Sequence, residues 1–110
     1  MKTSTSTVLI RWAADENGRI TFFNDDWSHY TGLEKSAVYG SADAWIAAVH
    51  PDDRALARML RSIGASKLDR LPVRFRLLGK DGIYRQFEGA ALAVHGERDR
   101  SWAGYCELSA

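Results

Sequence analysis

The sequence predicts one α+β domain in which a five-stranded antiparallel sheet carries short helices and one longer helix on one face. Three observations support this fold class. Runs of β-branched and aromatic residues lie near both ends of the chain, helix-forming segments occupy the middle, and the turn sequences "DENG" and "GKDG" each join two such runs. The expected order is two strands, several short helices, one longer helix and three strands.

The first two strands form a predicted hairpin. The runs "VLIRWAA" and "RITFFN" flank "DENG", a turn-rich tetrapeptide that ends in glycine. Asn24 is then suited to cap a short helix, because its side chain can accept from free N–H groups, and Gly32 is suited to end that helix. Further short helical pieces follow, and the last of them is capped by Ser41 or Asp43.

The stretch "HPDD" predicts the start of the longer helix. Pro51 suits the first helical position, where its missing N–H costs nothing. His50 lies at or beside the cap, and Asp52 and Asp53 are anions in the first turn, where the helix dipole favours negative charge. We therefore expect His50, Asp52 and Asp53 to be structural.

The alternative for the same stretch is a metal or acid/base site built from its histidine and two aspartates. Two ligand types on one turn do not complete such a site, since a catalytic metal takes about three protein ligands with supporting neighbours. His29 and His95 lie in segments that have no ligand spacing of their own. The chain also lacks a nucleophile–base pair and a phosphate-binding glycine loop, so neither a metal nor an enzymatic site is predicted.

An apolar stripe runs along the longer helix, with large side chains spaced i, i+3, i+4 and i+7. We expect this stripe to meet aromatic residues of the sheet and of the preceding turns around one interior volume. That volume is either a packed core or a ligand cavity, and both interpretations stay open. The candidate lining residues are Trp45, Leu56, Met59, Leu60, Ile63, Phe75 and Phe87.

The last three strands are predicted from alternation and from one strong turn. Val73, Phe75 and Leu77 alternate with arginines, and an Asp-Gly pair then signals a hairpin. The next run alternates poorly, so periodicity does not decide which of Tyr84 and Arg85 points inward. The closing run should place one face toward the interior, consisting of Trp102, Gly104, Cys106 and Leu108.

Composition excludes several classes of protein. The 110 residues, 45% hydrophobic and 26% charged, suit one folded domain, which we assign to residues 8–109 after a polar tail at 1–7. The apolar runs fall far short of the ~20 residues of a membrane span, so no membrane insertion is expected. A single cysteine, Cys106, fits a reducing cytoplasm. Because Cys106 should pack among Trp102 and Leu108, we expect it to be a core residue and not a reactive thiol.

Charge is unevenly distributed along the chain. Residues 1–53 carry 4 basic and 8 acidic side chains, whereas residues 54–110 carry 11 and 6. No block of lysine or arginine is present, and therefore no nucleic-acid partner is predicted. The opposed charges of the two halves favour self-association or a protein partner.

Four segments in order, "WAADENGRITFFNDDWSHYTG", "WIAAVHPDD", "RLLGKDGIYRQFEG" and "WAGYCELS", resemble the successive signatures of PAS sensor domains. The resemblance runs from about Val8 to Ser109. It implies the PAS version of the five-stranded sheet and a non-catalytic sensory and dimerisation module of bacterial signal transduction. It also implies a homodimer and an attached effector, such as a histidine kinase or a diguanylate cyclase, on the same or another chain.

Relatives of this subtype commonly end the last strand in Asp-Ile-Thr, which couples the sheet to the effector. The matching residues here are Glu107, Leu108 and Ser109, so the resemblance implies that Glu107 and Ser109 carry the signal. The alternative is a purely structural protein–protein interaction domain with a filled core and no ligand.

The resemblance also limits the cofactors. Flavin adduct chemistry is excluded, because the segment "ADAWIAAVHPDD" lacks the reactive cysteine of the light-sensing relatives. Haem is not predicted either, since residues 53–66 contain no histidine and offer only Met59 as a weak ligand. No cofactor is predicted, and a small ligand stays an open alternative.

Overall fold

The computed structural model describes residues 8–59, 69–96 and 99–109. The predicted tail at 1–7 lies outside them. In chain order the elements are β1 (Leu9–Ala14), β2 (Ile20–Phe23), α1 (Asp25–Thr31), 3-10 turns at Lys35–Ala37, Ala44–Ala48 and Pro51–Asp53, α2 (Arg54–Met59), β3 (Arg70–Leu78), β4 (Tyr84–His95) and β5 (Arg100–Leu108). The predicted α+β order is confirmed.

The five strands form one antiparallel sheet in the order β2-β1-β5-β4-β3. Both predicted hairpins are present, and β5 returns to lie between β1 and β4. One face of the sheet packs against the helices and holds the core. Alternation predicted this face correctly in β3, where Val73, Phe75 and Leu77 are buried, and in β5, where Trp102 and Cys106 are buried.

The link from the first hairpin into α1 differs from the prediction in one respect. Asn24 occupies the N-cap position, but its side chain makes no cap hydrogen bond. Its Oδ1 instead accepts from the N–H of Arg11 at 3.0 Å, and its Nδ2 donates to the carbonyl of Leu9 at 2.9 Å. Asp26 accepts from the N–H of Leu9 at 2.9 Å. The side chains of Asn24 and Asp26 thus hydrogen-bond to backbone groups of Leu9 and Arg11, in the part of β1 that extends beyond the end of β2.

Two other predicted helix boundaries are confirmed. Asp43 holds the N-cap position of the Ala44–Ala48 turn, and Ser41 Oγ supplies the capping hydrogen bonds by accepting from the N–H groups of Asp43 and Ala44 at 3.1 and 3.0 Å. Gly32 ends α1 with a φ of 75°, in the left-handed region that glycine enters without steric cost.

Connecting segments cover part of each edge of the sheet. At the β2 edge, the Ile20 N–H donates to Ser41 and the Ile20 carbonyl accepts from Gly40. At the β3 edge, the Arg76 carbonyl accepts from the N–H of His50 at 2.9 Å. Pro72 lies four residues before Arg76 in β3, so its backbone also faces out from this edge. Proline has no N–H that a neighbouring strand could bind.

The core between the sheet and the helices is rich in aromatic side chains. Trp27 of α1 stacks on Phe23 with ring centroids 4.3 Å apart, and Tyr30 meets Phe87 edge to face at 4.9 Å. Aromatic pairs of this kind add to the stabilisation that comes from burial alone.

Among the described helices, none is long and apolar enough to cross a membrane.

Candidate functional site

The "HPDD" segment forms the start of a helical region through two side-chain contacts of His50. Its Nδ1 accepts from the N–H of Asp52 at 3.1 Å, which is an N-cap hydrogen bond, and Pro51 follows in the first helical position. The imidazole also meets Tyr84 of β4 edge to face at 4.6 Å. Because Nδ1 is used as an acceptor, the imidazole has one nitrogen committed to the fold.

Asp53 lies in the first turn, as predicted, but its carboxylate does not cap the helix. Its carboxylate does not lie on the first-turn N–H groups but on Arg76 of β3, with contacts of 2.8 Å to Nε, 3.0 Å to Nη2 and 2.9 Å to the backbone N–H. The Arg76 guanidinium holds the pKa of the Asp53 carboxyl down at about 2. The assignment of Asp53 as a helix cap is therefore corrected: it ties the helical region to the edge of the sheet.

Metal-ligating side chains do not cluster around this segment in the described part of the chain. Within the described residues, no group of three or more His, Cys, Asp or Glu side chains is placed to hold a metal ion. The other two histidines lie apart from this segment: His29 is exposed on α1, and His95 contacts Asp69 at 3.1 Å at the far end of β4.

The structure separates the predicted lining residues into three groups. Trp45 and Phe75 are buried with their rings 5.6 Å apart, and Phe87 is fully buried. Leu56 and Met59 are instead 41% and 57% exposed, because α2 turns Ala57 toward the interior. This corrects their placement in the core. The other two predicted lining residues, Leu60 and Ile63, lie outside the described residues.

The interior holds a small cavity of about 30 Å³. Among the described residues, its walls come mainly from the first half of the chain, and neither Leu56 nor Met59 of the predicted helical stripe lines it. They include Ile10, Trp12 and Ile20 of the first hairpin, Trp27 of α1, Trp45 and Cys106. Ile10 and Ile20 were not predicted as wall residues, although the alternation in "VLIRWAA" could have indicated Ile10.

Cys106 is a core residue on the wall of this cavity. The side chain is buried at 3% exposure, and desolvation raises the pKa of its thiol to about 12. A thiol in this environment stays protonated at neutral pH, and the thiolate is the reactive form. Cys106 is therefore suited to packing and not to nucleophilic chemistry.

The predicted coupling residues lie at the end of β5. Glu107 is exposed on the outer face of the sheet, opposite Leu9 on one side and Glu88 on the other. The N–H of Ser109 donates to the carbonyl of Gln86 at 2.9 Å, while its buried Oγ has no hydrogen-bond partner among the described residues.

Comparisons with known proteins agree with this geometry. The family model of the PAS fold matches residues 20–105, and the chain belongs to the PAS family. A search of curated protein sequences finds no match. The resemblance predicted from the four segments is thus confirmed at the level of the family.

Solved structures with the same fold include domains of signalling proteins. A domain of a putative light and redox sensing histidine kinase from Haloarcula marismortui has a TM-score of 0.74 at 15% identity, over 96% of this chain and 92% of that one. The N-terminal domain of a diguanylate cyclase with PAS/PAC sensor from Marinobacter aquaeolei has 0.70 at 16%, over 89% and 92%. The RpfR quorum-sensing receptor PAS domain of Cronobacter turicensis, solved in complex with BDSF, has 0.62 at 17%, over 96% and 96%.

Proposed function

We propose that this domain is a non-catalytic sensory and dimerisation module of a cytoplasmic signalling protein. It would relay a signal or a partner contact to an effector such as a histidine kinase or a diguanylate cyclase. Membership of the PAS family supports the sensory class, and similar folds occur in proteins of both effector types. The single observation on which the proposed relay of the signal depends is the position of Glu107 at the end of β5.

The side chain of Glu107 has no recorded hydrogen bond or ion pair with the described residues. Its carboxylate is exposed and forms no ion pair among the described residues, whereas the opposite Glu88 lies 4.0 Å from Arg74. Like charges placed directly opposite each other in a sheet repel. An exposed carboxylate in this environment is better explained by a contact with another segment or protein than by stability.

We predict that Glu107→Ala leaves the stability of the domain within about 0.5 kcal/mol of the wild type, because exposed charges contribute little. In the full-length protein, the same change should alter the basal activity of the attached effector. Thermal unfolding and an effector assay, run in parallel, test both parts. Glu16→Ala, which removes an exposed carboxylate from the β1–β2 turn, is the matched control and should change neither.

A large loss of stability in Glu107→Ala would show that Glu107 stabilises the fold. Unchanged effector activity, in a protein whose regulation requires this domain, would remove Glu107 from the relay.

The second candidate is a purely structural interaction domain with a filled core. Two observations favour it: the interior cavity is small, and the outer face of the sheet exposes Phe22, Leu92 and Val94 at 47%, 37% and 47%. Phe22 and Leu92 lie in one row across the sheet with Ala13 and Ala103 between them. A contiguous exposed apolar row is typical of an interaction surface.

The proposed dimerisation module predicts self-association, and the row across the outer face gives a test. Leu92→Lys should weaken dimerisation by at least about tenfold, because a buried interface rejects an unpaired charge. Ile83→Lys is the matched control, since Ile83 is 53% exposed but lies in the β3–β4 turn. Sedimentation measures both variants. A strict wild-type monomer at high micromolar concentration, or equal effects of the two variants, would contradict dimerisation through this face.

A further inference from the structure

His50 joins the start of the helical region to two strands of the sheet. Its backbone N–H donates to the carbonyl of Arg76 in β3 at 2.9 Å, and its ring meets Tyr84 of β4 edge to face at 4.6 Å. Its Nδ1 accepts from the N–H of Asp52 at 3.1 Å, and the side chain is 24% exposed. Of these three contacts, the one made by Nδ1 depends directly on whether the ring carries a second proton.

The hydrogen bond from Asp52 fixes the tautomer of the His50 ring. An imidazole nitrogen accepts a hydrogen bond only while it carries no proton, so the neutral ring holds its proton on Nε2. Protonation of the ring adds a proton to Nδ1 and converts this nitrogen from an acceptor into a donor. The side chains that most often cap helices, those of Ser, Thr, Asn and Asp, remain acceptors at neutral and mildly acidic pH. A histidine in this position thus makes the cap dependent on pH.

A second acceptor for a proton on Nδ1 lies beside the ring. Oδ2 of Asp52 is 3.9 Å from Nδ1 of His50, which is beyond hydrogen-bond distance in the neutral state. Because the Asp52 side chain is 78% exposed, it can rotate toward an imidazolium without displacing buried groups. Protonation would therefore exchange the bond from the Asp52 N–H for a bond to the Asp52 carboxylate, and the N–H would lose its acceptor.

Other charged groups around His50 hold this segment by bonds that do not involve the ring. The Asp53 carboxylate lies 2.8 Å from Nε of Arg76, and Nε of Arg54 donates to the carbonyl of Val49 at 3.0 Å. Arg76 keeps the pKa of the Asp53 carboxyl at about 2, so that carboxylate stays ionised over the range in which a histidine titrates. The exchange at the ring should therefore be confined to the first turn, while the attachment to β3 persists. Among the described residues, the titratable and charged side chains around the ring are those of Asp52, Asp53, Arg54, Arg76 and Tyr84.

We propose that His50 is a proton-sensitive cap, which closes the first turn of the helical region when its ring is neutral and releases the N–H of Asp52 when the ring is protonated. Histidine is the only side chain whose ordinary charge change falls between about pH 5 and 8. Acidification within this range would loosen the start of the helical region beside the edge of the sheet. The inference goes beyond the proposed relay through Glu107, because it assigns a separate response to a different segment of the chain.

An NMR titration of this chain from about pH 8 to 5.5 tests the proposal, and its lower limit stays above the ordinary pKa of aspartate, about 3.9. At the start, the nitrogen resonances of the His50 ring should show that Nδ1 carries no proton. The Asp52 amide proton should then move upfield on the same curve as the His50 ring, because loss of a hydrogen bond shields it. Its protection against exchange, relative to the intrinsic rate at each pH, should fall by about two- to thirtyfold, the equivalent of a lost cap.

His50→Asn is the matched variant, because asparagine keeps a capping acceptor and does not titrate. In this variant, the Asp52 amide resonance should stay in place over the same pH range. His95→Asn removes a histidine that contacts Asp69 at 3.1 Å at the far end of β4, and it should leave the Asp52 response intact. If His50→Asn failed to fold, the ring tautomer and the Asp52 curve of the wild type would still test the proposal.

The proposal is overturned if Nδ1 of His50 carries the proton at the start of the titration, if the Asp52 amide does not follow the ring, or if His50→Asn responds to pH as the wild type does. All these measurements come from this chain alone, so they do not depend on an effector. A negative result here with an intact effect of Glu107→Ala on the effector removes only the proton-sensitive cap. The reverse result removes only the relay through Glu107.

Discussion

Gly89→Ala is expected to destabilise the domain by about 3 kcal/mol or more, the range of severe overpacking in a core. Gly89 lies in β4 opposite Cys106 of β5. A Cβ atom added there would overlap the backbone carbonyl oxygen of Tyr105 and approach the Cα of Cys106 to 2.7 Å. Both obstacles are backbone atoms of the neighbouring strand, so relief requires the β4–β5 ladder to separate and not a side chain to rotate.

Gly40→Ala separates this effect from the general cost of replacing a glycine. Gly40 has a φ of 79°, and an added Cβ there meets no atom within 4 Å. Only the left-handed backbone opposes the change, at about 1–2 kcal/mol. Urea denaturation measures the loss of stability in both variants, and we expect the larger loss in Gly89→Ala. A Gly89→Ala protein as stable as Gly40→Ala would contradict this expectation.

Asp53→Asn is expected to cost about 1–2 kcal/mol, because it removes the charge from a contact in which Arg76 uses its guanidinium and its backbone N–H. Solvent screening limits the effect, since the side chains of Asp53 and Arg76 are 21% and 38% exposed. Asp52→Asn is the matched control, because its carboxylate is 78% exposed and lies 3.9 Å from His50. Chemical denaturation of both variants at neutral pH measures the difference.

The same pair predicts how stability depends on pH. The pKa of the Asp53 carboxyl is lowered from 3.8 to about 2 by Arg76, so the folded state binds this proton less readily than the unfolded chain. The contribution of the Asp53 carboxylate to stability is present in full above 3.8, the pKa in the unfolded chain, and is lost as the pH falls toward about 2. Comparing the acid denaturation of Asp53→Asn and the wild type tests this, and parallel curves between pH 4 and 2 would contradict it.

Much of the fold could be predicted from local patterns along the chain. Alternation in β3 and β5 identified their buried faces, and the turn sequences located both hairpins. Alternation failed in β4, where Gly89, Ala90 and Ala91 are small enough to pack on either face of the sheet. The choice between Tyr84 and Arg85 stayed open for another reason, because both side chains are half-buried in polar contacts: Tyr84 packs on His50, while Arg85 pairs with Asp81 at 2.6 Å.

The features that sequence reasoning missed depend on contacts between distant segments. Asp53 and Arg76 are 23 residues apart, and no local spacing links them. The helical stripe was assigned to the core from its period alone. The period fixes which side chains share a face, but the direction of that face depends on how α2 docks, which brings Ala57 inward and leaves Leu56 exposed.

The covered edges of the sheet limit how copies of this domain can meet. An uncovered edge would let strands of neighbouring molecules add to one another without limit, which is the route to amyloid-like fibres. Here Gly40 and Ser41 occupy one margin, and His50, Asp53 and Pro72 block much of the other. Open-ended strand addition through these two edges is therefore disfavoured.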